Sequence, residues 1–211
     1  MVLISGDGAS GSSYLVWLLR ELGFSICPKG YEHLFKDLPS GEPVLYELLR
    51  EQVIRDDLAK GKKIEWPDVI KNSGGFSFNL HEWVDKYNWK VDLVLIPFRG
   101  LEEGIRRRWV KDPVHNPINH KFLKVPYEKF LSMKEDEINE RAREVVRERV
   151  GAAVLQCTDR DYPFSILPFP KFVLKPTFLY EKLSPILKDV SFETFYEAFS
   201  RTTDLTKVKL Y

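Results

Sequence analysis

The stretch Val2-Leu3-Ile4-Ser5-Gly6-Asp7-Gly8-Ala9-Ser10-Gly11-Ser12-Ser13 decides how the chain is read. Three apolar residues in a row read as a short strand covered on both faces. A turn rich in glycine and serine follows. Leu15, Val16, Leu18, Leu19 and Leu22 then recur at helical spacing until Gly23 closes the helix. Gly6-x4-Gly11-Ser12-Ser13 has the frame of a phosphate loop, with Ser12 where the usual lysine stands. Binding alone does not require that lysine. Backbone N–H groups from Gly8 to Ser13 can wrap an anion, and a helix N-terminus adds about half a positive charge. The same residues also suit a plain strand-to-helix turn with serine caps and no ligand.

Further along, Val91 to Ile96 is a second clear buried strand, ended by Pro97-Phe98-Arg99-Gly100 and followed by a helix from about Leu101 to Val110. Asp68 to Lys71 reads as a short strand, ended by Asn72-Ser73-Gly74-Gly75, and Asn79 is placed to cap a helix through Tyr87. Helices are also expected over Val44 to Lys60, Met133 to Val150, Phe178 to Leu187 and Phe192 to Phe199. Phe24 to Cys27 and Phe172-Val173-Leu174 read as further strands, and Pro113 to Pro126 as irregular chain. Strands alternating with helices predict an α/β fold with a largely parallel sheet. Ligands of such sheets sit outside the carboxyl ends of the strands. The loops after Ile4, Ile70 and Ile96 therefore carry the functional expectation.

The 211 residues suit one domain over 1–211, with a helical insertion around 111–165. Hydrophobic residues at 44% allow an ordinary core. Lys+Arg 32 against Asp+Glu 31 leaves a formal charge of +1, so neither nucleic acid nor a membrane surface is expected as a partner. The apolar runs are far shorter than a membrane span, and Met1 to Ile4 is too short for a secretory signal. Cys27 and Cys157 are the two cysteines, too few for a disulfide framework or a cysteine zinc site. His115 and His120 stand five apart around Pro117, unlike a helical metal pair. The expectation is a cytoplasmic protein without a metal. Its oligomeric state is not legible.

A kinase with a phosphate loop places its lysine on the β- and γ-phosphates and an acidic strand end on magnesium. Here the strand ends in Pro97-Phe98-Arg99, and Asp92 lies at its other end. Both usual charges are missing, which counts against a small-molecule or nucleotide kinase, the alternative reading.

At this point the residues resemble the sulfotransferase superfamily, which uses 3′-phosphoadenosine 5′-phosphosulfate (PAPS). Gly8-Ala9-Ser10-Gly11-Ser12-Ser13-Tyr14-Leu15 is similar to that family's Pro-[Lys/Arg]-Ser-Gly-Thr-Thr-x-Leu loop. Leu93 to Arg107 resembles its second motif, in which a strand ends in Arg-Asp-Pro and a serine eight residues after the arginine helps hold the 3′-phosphate. Asp68-Val69-Ile70-Lys71-Asn72 is similar to the Lys-x-Pro strand end of many bacterial members.

The resemblance implies a P-loop NTPase-like three-layer fold, PAPS as donor, and a small-molecule or carbohydrate acceptor. It assigns Gly8, Ala9, Ser10, Gly11, Ser12 and Ser13 to the 5′-phosphosulfate and Arg99, with Arg107, to the 3′-phosphate. Lys71 and His81 would lie near the acceptor. The departures are Ala9 for the family's cation, Arg107 for its serine, Gly100-Leu101 for Asp-Pro, and the lack of a late Arg-Lys-Gly loop. A missing cation at the leaving phosphate costs on the order of 10²–10³ in rate. That leaves a third reading, a non-catalytic nucleotide-binding or partner-binding module. Each residue also has a plainer role: Arg99 in an ion pair, Lys71 as an exposed strand end, His81 as helix packing beside Phe78, Leu80 and Trp83.

Overall fold

The computed structural model describes residues 1–6, 10–35, 52–72, 75–99 and 123–204. In chain order these form β1 (Val2–Ile4), α1 (Ser12–Glu21), α2 (Gln52–Ala59), β2 (Val69–Lys71), α3 (Gly75–Tyr87) and β3 (Leu93–Arg99). They continue with α4 (Tyr127–Ser132), α5 (Glu135–Asp159), β4 (Phe164–Phe169), α6 (Lys171–Leu174), α7 (Pro176–Leu183) and α8 (Phe192–Thr202). The four strands form one sheet in the order β2-β1-β3-β4. Every pairing is parallel: Ile4 lies opposite Lys71 on one side and Leu95 on the other, and Arg99 lies opposite Phe169.

β1, and β2 and β3 up to their final residues, are apolar because both faces are covered. Leu3, Ile70, Val94 and Ile96 meet Phe76, Leu80 and Val84 of α3 and Ala153 and Cys157 of α5. Val2, Ile4, Val69, Leu93 and Leu95 meet Leu15, Leu18 and Leu19 of α1, with Leu179, Leu183 and Phe195 of α7 and α8. The chain is therefore α/β with an all-parallel sheet. Among the described residues no helix is long and apolar enough to cross a membrane.

Two strand expectations are corrected. Phe172-Val173-Leu174 belongs to the helical turn α6, and the fourth strand is Phe164–Phe169. Prolines at 163, 168 and 170 hide that strand in the sequence. Pro168 is tolerated because β4 lies at the sheet edge, where a missing N–H can face outward. Phe24 to Cys27 is irregular; it runs beside β2, and Ser25 O accepts from Val69 N at 3.1 Å, without forming a ladder. The charged helix α5 extends to Asp159, nine residues past the expected end at Val150. Of the helix expected over Val44 to Lys60, the described part is α2. The helix expected from Leu101 to Val110 lies outside the described residues, as do His115 and His120.

Candidate functional site

β1, β2 and β3 end at one edge of the sheet, and α1 begins there. Ser5 carries β1 one step further, donating its N–H to Leu95 O at 2.8 Å. Gly6 then passes so close to Pro97 that a Cβ at Gly6 would sit 2.6 Å from Pro97 O. The loop returns to α1 at Gly11, whose φ of 85° is the left-handed conformation glycine supplies without penalty. A Cβ at Gly11 would fall 2.7 Å from Phe172 Cζ and 2.9 Å from Phe169 Cδ2. Gly11 is thus seated on two aromatic rings from β4 and α6. The first backbone bond into α1 is Leu15 N to Gly11 O at 3.3 Å. The amides of Ser12, Ser13 and Tyr14 precede it and lie in the first turn, where a helix supplies no acceptor of its own.

Two cations flank this turn. Lys71, the last residue of β2, is buried, and its Nζ donates to Ser13 Oγ at 3.0 Å. Arg99, the last residue of β3, is also buried, and its guanidinium carbon lies 4.1 Å from the centre of the Phe169 ring. Phe169 therefore stands between Arg99 and Gly11, touching both positions. Ser10 and Ser12 are buried within the turn, and Ser13 is exposed. The Oγ of Ser5 is fully enclosed at the end of β1 and has no hydrogen-bond partner among the described residues. Gly8, Ala9 and Arg107 lie outside the described residues.

Tyr14 anchors the start of α1 from the other side. Its ring packs against Phe172 and Phe199, and its hydroxyl lies 3.0 Å from Thr203 Oγ1. Burial holds the Tyr14 phenol well above its ordinary pKa, so it stays protonated and serves as structure rather than as an acid.

His81 occupies a different setting. Asn79 breaks α3 with φ −130° and ψ 30°. That position was read as a helix cap, and the break shows the same local preference acting inside the helix. Gln156 of α5 fills the gap: its Oε1 accepts from Leu80 N at 2.6 Å, and its Nε2 donates to Ser77 O at 2.9 Å. The amide orientation is fixed by these bonds, so Oε1 accepts at His81 as well, 3.0 Å from Nδ1. The neutral ring therefore carries its proton on Nδ1 and leaves Nε2 as the basic atom. No hydrogen bond among those described joins His81 to the loop.

The site thus assembles Ser10, Gly11, Ser12, Ser13, Lys71 and Arg99 and leaves His81 in the α3–α5 contact. Phe169 and Phe172 complete it and were not anticipated. The described residues contain no group of His, Cys, Asp or Glu side chains that could hold a metal ion. No protein-family model, curated protein or solved structure matches this chain.

Proposed function

We propose that this chain has a P-loop NTPase-like fold, binds PAPS or its product 3′-phosphoadenosine 5′-phosphate at the Gly6–Ser13 turn, and is a sulfotransferase for a hydroxyl or amine on a small molecule or carbohydrate. The observation that carries this reading is the Lys71–Ser13 contact at the carboxyl edge of the sheet. It brings a buried cation to a loop whose sequence lacks one. The left-handed Gly11, the helix start at Ser12 and the enclosed Gly6 are features that suit an anion held by backbone groups.

PAPS, when bound, would supply a sulfuryl group already attached to a good leaving group. The chain's residues then have three tasks. The turn holds the 5′ end, and Lys71 offsets the charge that grows on the phosphate oxygen as its bond to sulfur breaks. Arg99 holds the 3′-phosphate, which keeps its charge throughout. The acceptor oxygen or nitrogen forms the new bond to sulfur and gives up its proton to water.

Thermal shift with 3′-phosphoadenosine 5′-phosphate and with ATP, each with and without magnesium, tests the binding half. At about 100 times its Kd the bisphosphate adds roughly 2.7 kcal/mol, or about 5–10 °C for a chain of this size. Equal or larger stabilisation by magnesium-ATP would replace this reading with the kinase. Lys71→Met and Arg99→Ala test the roles. Arg99→Ala weakens the bisphosphate about 10- to 150-fold. Lys71→Met lowers turnover and leaves affinity nearly intact, the pattern of a contact made in the transition state. Tight binding with no turnover over a broad acceptor panel would leave the non-catalytic module.

A further inference from the structure

The opposite edge of the sheet carries a cavity of about 660 Å³. It opens where the strands begin, beside Met1, Asp68 and Lys90, so it shares no residue with the Gly6–Ser13 turn. Its volume falls in the range of about 300–1,000 Å³ typical of small-molecule sites.

Three aromatic residues and three lysines give it its chemistry. Trp66, Tyr87 and Trp89 line it as a packed group: Tyr87 and Trp89 are stacked at 5.3 Å, and Trp66 stands 4.9 Å from Tyr87 and 5.4 Å, edge to face, from Trp89. Trp66 and Tyr87 are half-buried and so expose part of their rings. Lys63, Lys86 and Lys90 are exposed around them. Lys86 Nζ lies over the rings of Trp83 and Tyr87, at 5.7 and 5.3 Å. Lys63 and Lys90 form no ion pair among the described residues. The fourth lining lysine, Lys62, is committed to Asp57 at 2.7 Å. The single lining carboxylate, Asp68, is turned to Ser25, accepting from its N at 2.8 Å and its Oγ at 2.7 Å. The cavity therefore offers the exposed parts of Trp66 and Tyr87 and uncompensated positive charge together.

We propose that this cavity is a second binding site, for a small planar ring compound bearing a phosphate or sulfate group. The rings take the planar face by stacking, and the lysines take the anion. Neither part suffices alone: a bare anion meets flexible, solvated lysines, and a neutral ring leaves their charge unused. The site is independent of the proposed donor site, so either can fail without the other.

The test is quenching of tryptophan fluorescence by phenyl phosphate and phenyl sulfate, with inorganic phosphate and phenol as controls. Both ring anions are expected to quench saturably and more weakly as salt rises. The stronger of the two identifies which anion the site takes. Lys63→Glu/Lys86→Glu is expected to weaken binding by about tenfold or more, with circular dichroism to check folding. Lys71→Met, at the other edge, is expected to leave it unchanged. The proposal is overturned if neither ring anion quenches. It is equally overturned if phosphate or phenol alone binds as well, if the lysine variant binds normally, or if Lys71→Met abolishes the signal.

Discussion

Gly11 carries two separate constraints, and a pair of alanine substitutions separates them. Its φ of 85° costs a residue with a Cβ about 1–2 kcal/mol. The added Cβ would also meet Phe172 Cζ at 2.7 Å and Phe169 Cδ2 at 2.9 Å. Phe172 is 0% exposed, so its ring has no free space into which to swing. Overpacking of this kind costs about 1–3 kcal/mol. Gly11→Ala is therefore expected to lose about 2–5 kcal/mol, or roughly 5–15 °C in Tm for a domain of this size. Gly23 is the internal control. Its φ is 91°, and nothing lies within 4 Å of an added Cβ. Gly23→Ala should lose the conformational part alone. Chemical denaturation of both variants gives the difference, which is the contact of the turn with the two rings. Phe172→Leu should then soften the effect of Gly11→Ala, with a coupling of about 1 kcal/mol in a double-mutant cycle. Equal losses at Gly11 and Gly23, or no coupling to Phe172, would refute the seating of Gly11 on β4 and α6. A larger residue such as valine at Gly11 strains the fold itself, so loss of ligand binding there would not by itself report on a phosphate contact.

Other outcomes follow from single contacts. Gln156→Leu leaves Leu80 N and Ser77 O without the partners that bridge the break in α3, so stability should fall by about 2–4 kcal/mol; a change below about 0.5 kcal/mol in denaturation would mean water bridges the break instead. Asp57 is held below the usual carboxylate range, first by its bond from Lys62 and then by Tyr31. Because the folded value is the lower one, the contribution is complete above the unfolded carboxylate value and is lost as pH falls through the folded one. Asp57→Asn should therefore flatten the stability profile below about pH 4, and it also removes the bonds that hold Lys62 and Tyr31 above their ordinary values. Burial pushes the Cys157 thiol up to about 11, and the side chain is fully enclosed, so alkylation at pH 8 followed by mass spectrometry should modify Cys27 first and Cys157 on unfolding. Rapid native-state labelling of Cys157 would contradict the α3–α5 packing over the sheet.

The sequence revealed those parts of the fold that follow from local pattern. β1 and β3 are continuous apolar runs because helices cover both faces, and a run of that kind shows without knowledge of its partners. Lys71 was legible as a strand end because Val69 and Ile70 precede it and Asn72 stops it. Asn79 was expected to cap a helix through Tyr87; the helix instead begins at Gly75 and Asn79 breaks it. β4 was hidden because its prolines are a sign against a strand unless the edge position is already known. Phe169 and Phe172 were invisible as site residues for a different reason. Their role depends on a contact with Gly11 that is distant in the chain, and nothing local distinguishes them from other core phenylalanines. His81 is similar: its Gln156 partner lies 75 residues away, in a charged helix whose pattern signals solvent.

The parallel register explains how a loop without its own lysine gains one. Ile4, the last residue of β1, lies directly opposite Lys71, so the β2 side chain emerges where the turn begins and reaches Ser13 in the first turn of α1. A strand-borne lysine has its backbone fixed by the sheet, which places the ammonium more narrowly than a mobile loop would. Arg99 arrives from the other neighbour of β1, because β2 and β3 flank that strand. It ends four residues beyond Leu95, the partner of Ile4, which is about 13 Å further along the strand direction. The two cations therefore approach the turn from opposite sides and at different heights. A ligand with two separated anionic groups suits cations whose strand ends are offset in this way, and this offset is the reason for preferring a 3′,5′-bisphosphorylated nucleoside over a monophosphate in the proposed reading. Adenosine 5′-phosphate should then retain the Lys71 side of the site and lose the Arg99 side. Its affinity should match that of the bisphosphate for Arg99→Ala and fall about 10- to 150-fold below it for the unaltered chain. Calorimetric titration of both nucleotides against both proteins decides this. Equal affinity of the two nucleotides for the unaltered chain would remove Arg99 from the site.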